Sequence, residues 1–215
     1  MDSALLAALL DALSDLAADD GVRVVVFSTT STRALSAGAD VREELDHAGG
    51  VARMEAFAAL YAAVEAFPLP TVAVCVGNVV GAGAELAAGC DLRVGGDNLK
   101  LAWAGARHGV PVGPARLAPL IGVARAKELV FTGRVVGADE ALALGLLHRV
   151  VAADEAEAAA LSLAREVASH PVEGLRRLKQ MFRSLEDTAA RVAYENELLV
   201  EFQREGAGLP RGAGR

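Results

Sequence analysis

Pro70-Thr71-Val72-Ala73-Val74-Cys75-Val76-Gly77-Asn78-Val79-Val80-Gly81-Ala82-Gly83-Ala84-Glu85-Leu86-Ala87-Ala88-Gly89-Cys90-Asp91 is the stretch on which the fold of this chain turns. Its first part, Pro70 to Cys75, is short, apolar and rich in β-branched residues, the composition of a buried strand. Ala84 to Ala88 has helix-forming composition. Gly77, Gly81 and Gly83 lie between them, where a backbone that turns sharply or approaches a ligand closely needs glycine. Strand, small-residue turn and helix start leave free N–H groups at the positive end of a helix dipole. Such a spot stabilises an anion or a developing oxyanion. Glu85 sets a carboxylate beside it.

A second stretch upstream has the same grammar. Arg23 to Phe27 reads as a strand, and Ser36-Ala37-Gly38-Ala39-Asp40 as a small-residue turn. Asp40 is placed to cap a following helix. Two such units could aim two N–H donors at one carbonyl oxygen. Small-residue turns also join strands to helices with no chemistry attached, and composition alone leaves both readings open.

The ordered series is more specific than either turn. Leu35 to Val41, then Val80 to Ala87 ending in Cys90-Asp91, Phe131-Thr132-Gly133, Ala138 to Ala141 and Gly145 to Val150 together resemble the crotonase (enoyl-CoA hydratase/isomerase) family. The resemblance covers about Leu5 to Phe182. It implies an α/β fold of the crotonase, ClpP-like kind, with stacked ββα units and a helical C-terminal region. The substrate it implies is an acyl-CoA or enoyl-CoA thioester, with coenzyme A entering as part of the substrate and no further cofactor. It also implies a homotrimer or homohexamer.

The same resemblance assigns the oxyanion hole to the backbone N–H groups of Ala39 and Ala82. It puts Ala37, Gly38, Asp40 and Gly81 along the coenzyme, and lets Lys179 reach a coenzyme phosphate, often on a neighbouring subunit; a solvated helix face is the plain alternative for that lysine. Alanine at 82, where the family has glycine, still supplies an N–H, although its methyl would narrow the pocket. Glu85 matches the first of the two family glutamates. The second falls at Gly105, which has no side chain, and no Asp or Glu occurs between Asp97 and Glu128. His108 could substitute as acid or base, because its ordinary pKa lies near neutrality. Arg107 keeps its proton and suits a carboxylate or phosphate partner. The missing glutamate leaves three readings: a hydratase, an isomerase that shuttles a proton with one carboxylate, and a weak or inactive acyl-CoA-binding subunit. A serine peptidase has no support, since no Ser–His–Asp arrangement fits.

Composition limits the alternatives. The 215 residues suit one domain, with residues 1–150 as the core, 151–205 as a helical region and 206–215 as a flexible tail. Net charge is −7 with no basic cluster, which argues against nucleic acid. Cys75 and Cys90 make neither a disulfide framework nor a metal site and read as small buried residues. Mean hydropathy is +0.34, yet no apolar run approaches a membrane span. No secretory signal is visible, so the expected compartment is the cytoplasm.

Along the rest of the chain, Ser3 to Ala18 carries leucines at helical spacing and is stopped by Asp19-Asp20-Gly21. In family terms, one or two strands would precede this helix. Asp40 to Gly50 reads as a polar loop holding His47, usually only solvated in such a place, and Val51 to Phe67 as a helix. Leu92–Val94, Leu99–Ala102 and His148–Val151 read as strands. Helices are expected over 114–120, 124–131, 138–144, 154–169, 172–184 and 187–205.

Overall fold

A computed structural model describes residues 1–206, 208 and 209. Most of the tail expected over 206–215 therefore lies outside the described residues. Helix α1 (Ser3–Ala18) is capped by Asp2, whose carboxylate accepts from Leu5 N at 2.8 Å. There follow β1 (Val25–Phe27), β2 (Ala34–Ser36) and α2 (His47–Ala66), then β3 (Thr71–Cys75), β4 (Asn78–Val80) and α3 (Ala82–Gly89). A third round brings β5 (Leu92–Gly96), β6 (Lys100–Ala102), a 3-10 turn (Gly105–His108) and α4 (Pro114–Ile121). Helices α5 (Val123–Thr132) and α6 (Ala138–Ala143), strand β7 (Arg149–Val151), and helices α7 (Ala156–Ala168), α8 (Val172–Leu185) and α9 (Thr188–Glu205) complete the chain.

The strands form two parallel sheets, β1-β3-β5-β7 and β2-β4-β6. Each ββα round sends its first strand into the larger sheet and its second into the smaller one. Strand β3 is buried along its whole length because both faces of the larger sheet are covered. Val72, Val74 and Val94 pack on Ala156, Ala160 and Leu163 of α7, whereas Ala73 and Cys75 face the main core. The period-two alternation of the strand decides which side each residue joins. Helix α7 thus closes the sheet, and α9 lies along α2, where Asn196 Nδ2 donates to Ala58 O at 2.9 Å. Helices α7 and α9 of the C-terminal third are thus packed on the core, whereas α8 buries only Lys179.

Arg93 explains the join between α3 and β5. Its buried guanidinium donates to Cys90 O at 2.5 Å and Ala87 O at 3.3 Å, and to Leu146 O at 2.7 Å. The first two satisfy carbonyls that a helix end leaves without partners.

Two local expectations are corrected. Asp40 caps no helix: its carboxylate is taken by Arg42, and α2 begins at His47 with Asp46 as cap, accepting from Gly49 N at 2.7 Å. His47 is therefore the first residue of a helix and not part of a surface loop. The second of each strand pair, β2 and β4, is only three residues long and was hidden within loop and turn segments.

Candidate active site

Two glycines with positive φ shape the site. Gly38 has φ 110° and Gly81 has φ 54°, a region that side chains rarely adopt, and each immediately precedes an alanine. The turns touch: a Cβ placed on Gly38 would lie 4.0 Å from Ala82 N, and one on Gly81 would lie 3.9 Å from Gly38 Cα. The upstream turn is fixed by Asp40 N, which donates to Met1 O at 2.8 Å, and by Arg53 Nη1, which donates to Asp40 O at 3.0 Å. The downstream turn is fixed by Gly81 N, which donates to Ala102 O at 3.0 Å. Ala39 N and Ala82 N donate to no backbone or side-chain acceptor among the described residues. Ala82 is also the first residue of α3, where the helix dipole is positive.

Both turns border a cavity of about 430 Å³. Its walls are mainly apolar, with Met54, Phe57 and Tyr61 of α2 opposite the turns and Val110, Val112 and Leu199 beside them. Two lining side chains carry a dissociable proton, Tyr61 and His108. Burial holds the Tyr61 phenol far above its ordinary pKa, so it stays protonated.

Glu85 lies one turn into α3 and is fully buried, but its side chain does not line this cavity. Its Oε2 accepts from Arg116 Nε at 2.7 Å, while Oε1 has no hydrogen-bond partner. Arg116 also donates to Glu195 Oε1 at 2.7 Å and lies 3.9 Å from Glu65, which in turn is 3.5 Å from Arg191. The Arg116 guanidinium stacks on the Tyr61 ring at 4.5 Å, placing this cluster in the wall behind that ring. Burial outweighs the attraction of the arginine. It pushes the Glu85 carboxyl up to about 8 and that of Glu65 up to about 7.

Gly105 and His108 also line the cavity, at the two ends of the 3-10 turn. Gly105 is there because the chain folds back upon it: a Cβ would meet Val110 O at 2.8 Å and Val112 Cγ1 at 3.0 Å. Arg107 points elsewhere, donating to Gly133 O at 2.8 Å. Ala37, Gly38, Ala39 and Asp40 border a further cavity of about 410 Å³ against α1. Half-buried Asp40 is held well below the usual carboxylate range by its bonds from Arg42.

Lys179 is not on a solvated face. It is 7% exposed, and its Nζ donates to Leu69 O at 2.9 Å and Asp91 Oδ2 at 2.7 Å. It lines a separate cavity with Arg183 and Arg191, away from the Gly38 and Gly81 turns. Cys75 and Cys90 are free and buried, which pushes both thiols up to about 12. Among the described residues no group of His, Cys, Asp or Glu is arranged to hold a metal, and no helix is long and apolar enough to cross a membrane.

Sequence reasoning passed over Tyr61, Arg53, Arg116 and Glu195. Tyr61 could have been found as one of a stripe, Met54, Phe57 and Tyr61, at helical spacing. Arg116 could have been found as a lone charge in the apolar run Pro114 to Ile121.

Stacked ββα units with parallel sheets and a helical C-terminal region define the crotonase class of α/β proteins. A family model described as Enoyl-CoA hydratase/isomerase matches residues 1–207, and the chain belongs to that family. It is 38% identical over 202 residues to a Mycolicibacterium paratuberculosis protein described as "Probable enoyl-CoA hydratase echA17", covering 91% of this chain and 78% of that one. It is 36% identical over 165 residues to the mitochondrial enoyl-CoA hydratase domain-containing protein 2 of Bos taurus, covering 74% of this chain and only 56% of the bovine protein. The crystal structure of an enoyl-CoA hydratase from Bacillus anthracis superposes with a TM-score of 0.80 at 27% identity, covering 97% of this chain and 89% of that one.

Proposed function

We propose that this chain binds an acyl-CoA or enoyl-CoA thioester and catalyses proton transfer at the carbon beside its carbonyl, the step that hydratases and isomerases share. The observation that carries this is the pair of N–H groups of Ala39 and Ala82, without acceptors among the described residues, on touching turns that border one apolar cavity. Removing a proton from that carbon, or adding water one carbon further on, moves negative charge onto the thioester oxygen. Two preorganised donors in a dry site stabilise that charge, and loss of one such donor costs roughly 3–4 kcal/mol. The coenzyme would lie along Ala37, Gly38, Asp40 and Gly81.

Glu85 is the proposed acid/base, and to meet the substrate it requires the Tyr61–Arg116 wall to move, because its side chain does not line the cavity in this structure. Its carboxyl, raised to about 8 by burial, suits a base working near neutral pH. His108 is the second proton carrier, since it lines the cavity directly. One observation favours isomerisation over hydration: Gly105 supplies no carboxyl, so a single carboxylate would shuttle the proton.

The test is turnover of a panel of 2-enoyl-CoA and 3-enoyl-CoA thioesters by the purified chain, with Glu85→Gln and His108→Ala beside it. Turnover that falls in the Glu85 variant supports the reading. Unchanged turnover in that variant defeats Glu85 as the base, and absence of acyl-CoA binding by a folded sample defeats the thioester reading.

We also propose that the chain assembles as a homotrimer or homohexamer through α8. Leu178, Met181, Phe182 and Leu185 form one stripe there, with Leu185 80% exposed, more apolar surface than a lone chain leaves to water. Sedimentation at micromolar concentration should give three or six copies, and a stable monomer would refute it.

A further inference from the structure

The cavity beneath the two turns adjoins another. Val41, His108 and Leu209 line both it and an adjoining space of about 710 Å³. One stripe of α2 runs along the pair: Tyr61, Phe57 and Met54 face the first, while Arg53, Gly50 and His47 face the second. Steps of three and four residues keep these positions on one side of the helix. Between Tyr61 and Arg53 the helix rises about 12 Å. Its wall turns from aromatic and aliphatic to polar, with the cation Arg53, as it nears its own N-terminus, where the dipole is positive.

The adjoining cavity has donor capacity that the described residues leave unused. Arg53 is 6% exposed and 3.4 Å from Glu43, and its buried Nε has no hydrogen-bond partner among the described residues. Arg107 makes one hydrogen bond, to Gly133 O, and forms no ion pair among the described residues. The carboxylates in the wall are engaged already. Glu43 accepts from Ser3 N at 3.1 Å and Arg53 at 3.4 Å, and Asp46 accepts from Gly49 N at 2.7 Å. The cavity against α1 lies on the other side of Ala37–Ala39. A thioester held at Ala39 and Ala82 therefore has one space for its coenzyme and another for its acyl chain.

We propose that the adjoining cavity is an anion subsite, with Arg53 and Arg107 receiving a carboxylate at the far end of the acyl chain. The preferred substrates are then CoA thioesters of dicarboxylic acids. This rests on the thioester reading above.

The experiment is calorimetric titration of the whole chain with saturated acyl-CoA pairs of matched length, ending in a carboxylate or a methyl group, and with free coenzyme A. The carboxylate-ended member should bind roughly tenfold or more tightly, the scale of a charge-assisted hydrogen bond. That ratio should collapse in Arg107→Met, an exposed position whose replacement leaves the core untouched. Arg53→Met should collapse it too, but Arg53 also holds Asp40 O, so the Arg107 variant decides if that one misfolds. Equal or weaker binding of the carboxylate-ended member overturns the proposal while leaving the thioester reading standing. Loss of free coenzyme A affinity in Arg107→Met, as large as that for the carboxylate-ended thioester, assigns the arginines to a coenzyme phosphate and also overturns it. If neither thioester binds, both readings fall together.

Discussion

Arg116 sits against carboxylates from three other helices, Glu65 of α2, Glu85 of α3 and Glu195 of α9. Removing the cation while leaving the carboxylates buried is the costly way to break such a cluster. Arg116→Met should destabilise the fold by about 3–5 kcal/mol, read from the midpoint of urea unfolding. Glu85→Gln should behave differently, because the amide keeps the shape and relieves an excess of negative charge. Its stability should stay close to that of the parent, whereas turnover of an enoyl-CoA thioester should fall about 10²–10⁴-fold, the usual contribution of a general acid or base. A Glu85→Gln protein that unfolds easily, or one with full turnover, contradicts this division of roles. At this scale the glycine turns were legible and the charges were not. Gly38 and Gly81 mark the turns before Ala39 and Ala82 by a purely local requirement for positive φ. The partners of Glu85 lie 31 and 110 positions along the chain, and no local pattern links Glu85, Arg116 and Glu195.

Gly105 shows what an element adds to a residue. From the chain alone it is a family glutamate lost, and restoring a carboxyl there would be expected to restore activity. In the folded 3-10 turn, Val110 N donates back to Gly105 O at 3.0 Å, and a Cβ would come within 2.8 Å of Val110 O. Gly105→Glu should therefore displace the turn at a cost of about 1–3 kcal/mol, the usual range for overpacking, and should not raise hydratase turnover. Thermal unfolding beside a hydratase assay checks both halves, and a rise in turnover at undiminished stability would contradict them. The same dependence on packing decided which elements could be read in advance. Strand β3 could be read directly, because its apolar run is bounded by Pro70 and Gly77 and both its faces are buried. Strands β2 and β4 are three residues long, and neighbouring strands define them as much as their own side chains do. The start of α2 was misplaced for a related reason. Gly49 and Gly50 oppose a helix by propensity, and the Asp46 cap with α9 packed alongside overrides them.

The cluster around Arg116 ties α2, α3, α4 and α9 together, so its protonation is a property of the whole molecule. Burial raises the Glu65 carboxyl to about 7 and that of Glu85 to about 8, from 4.5 in each case. Between 4.5 and these higher values the folded chain holds protons that the unfolded chain has released. Stability therefore falls as pH rises through this window, and the contribution favouring the fold is complete only below about 4.5. His148 acts in the opposite sense, because burial lowers its pKa and makes the fold resist protonation in the acid half of the window. The informative quantity is thus the difference between parent and variant, in which His148 cancels. Melting temperatures of the parent and of Glu65→Gln, followed from pH 5 to pH 8, should diverge: the parent loses stability relative to the variant as pH rises. Glu85→Gln should show a divergence of the same sign, since burial raises its carboxyl as well. Parallel curves for parent and both variants would mean that the carboxylates are fully ionised in the fold throughout, matched by Arg116 and Arg191. Glu85 would then remain in place as a base but would have lost its tuning toward neutral pH.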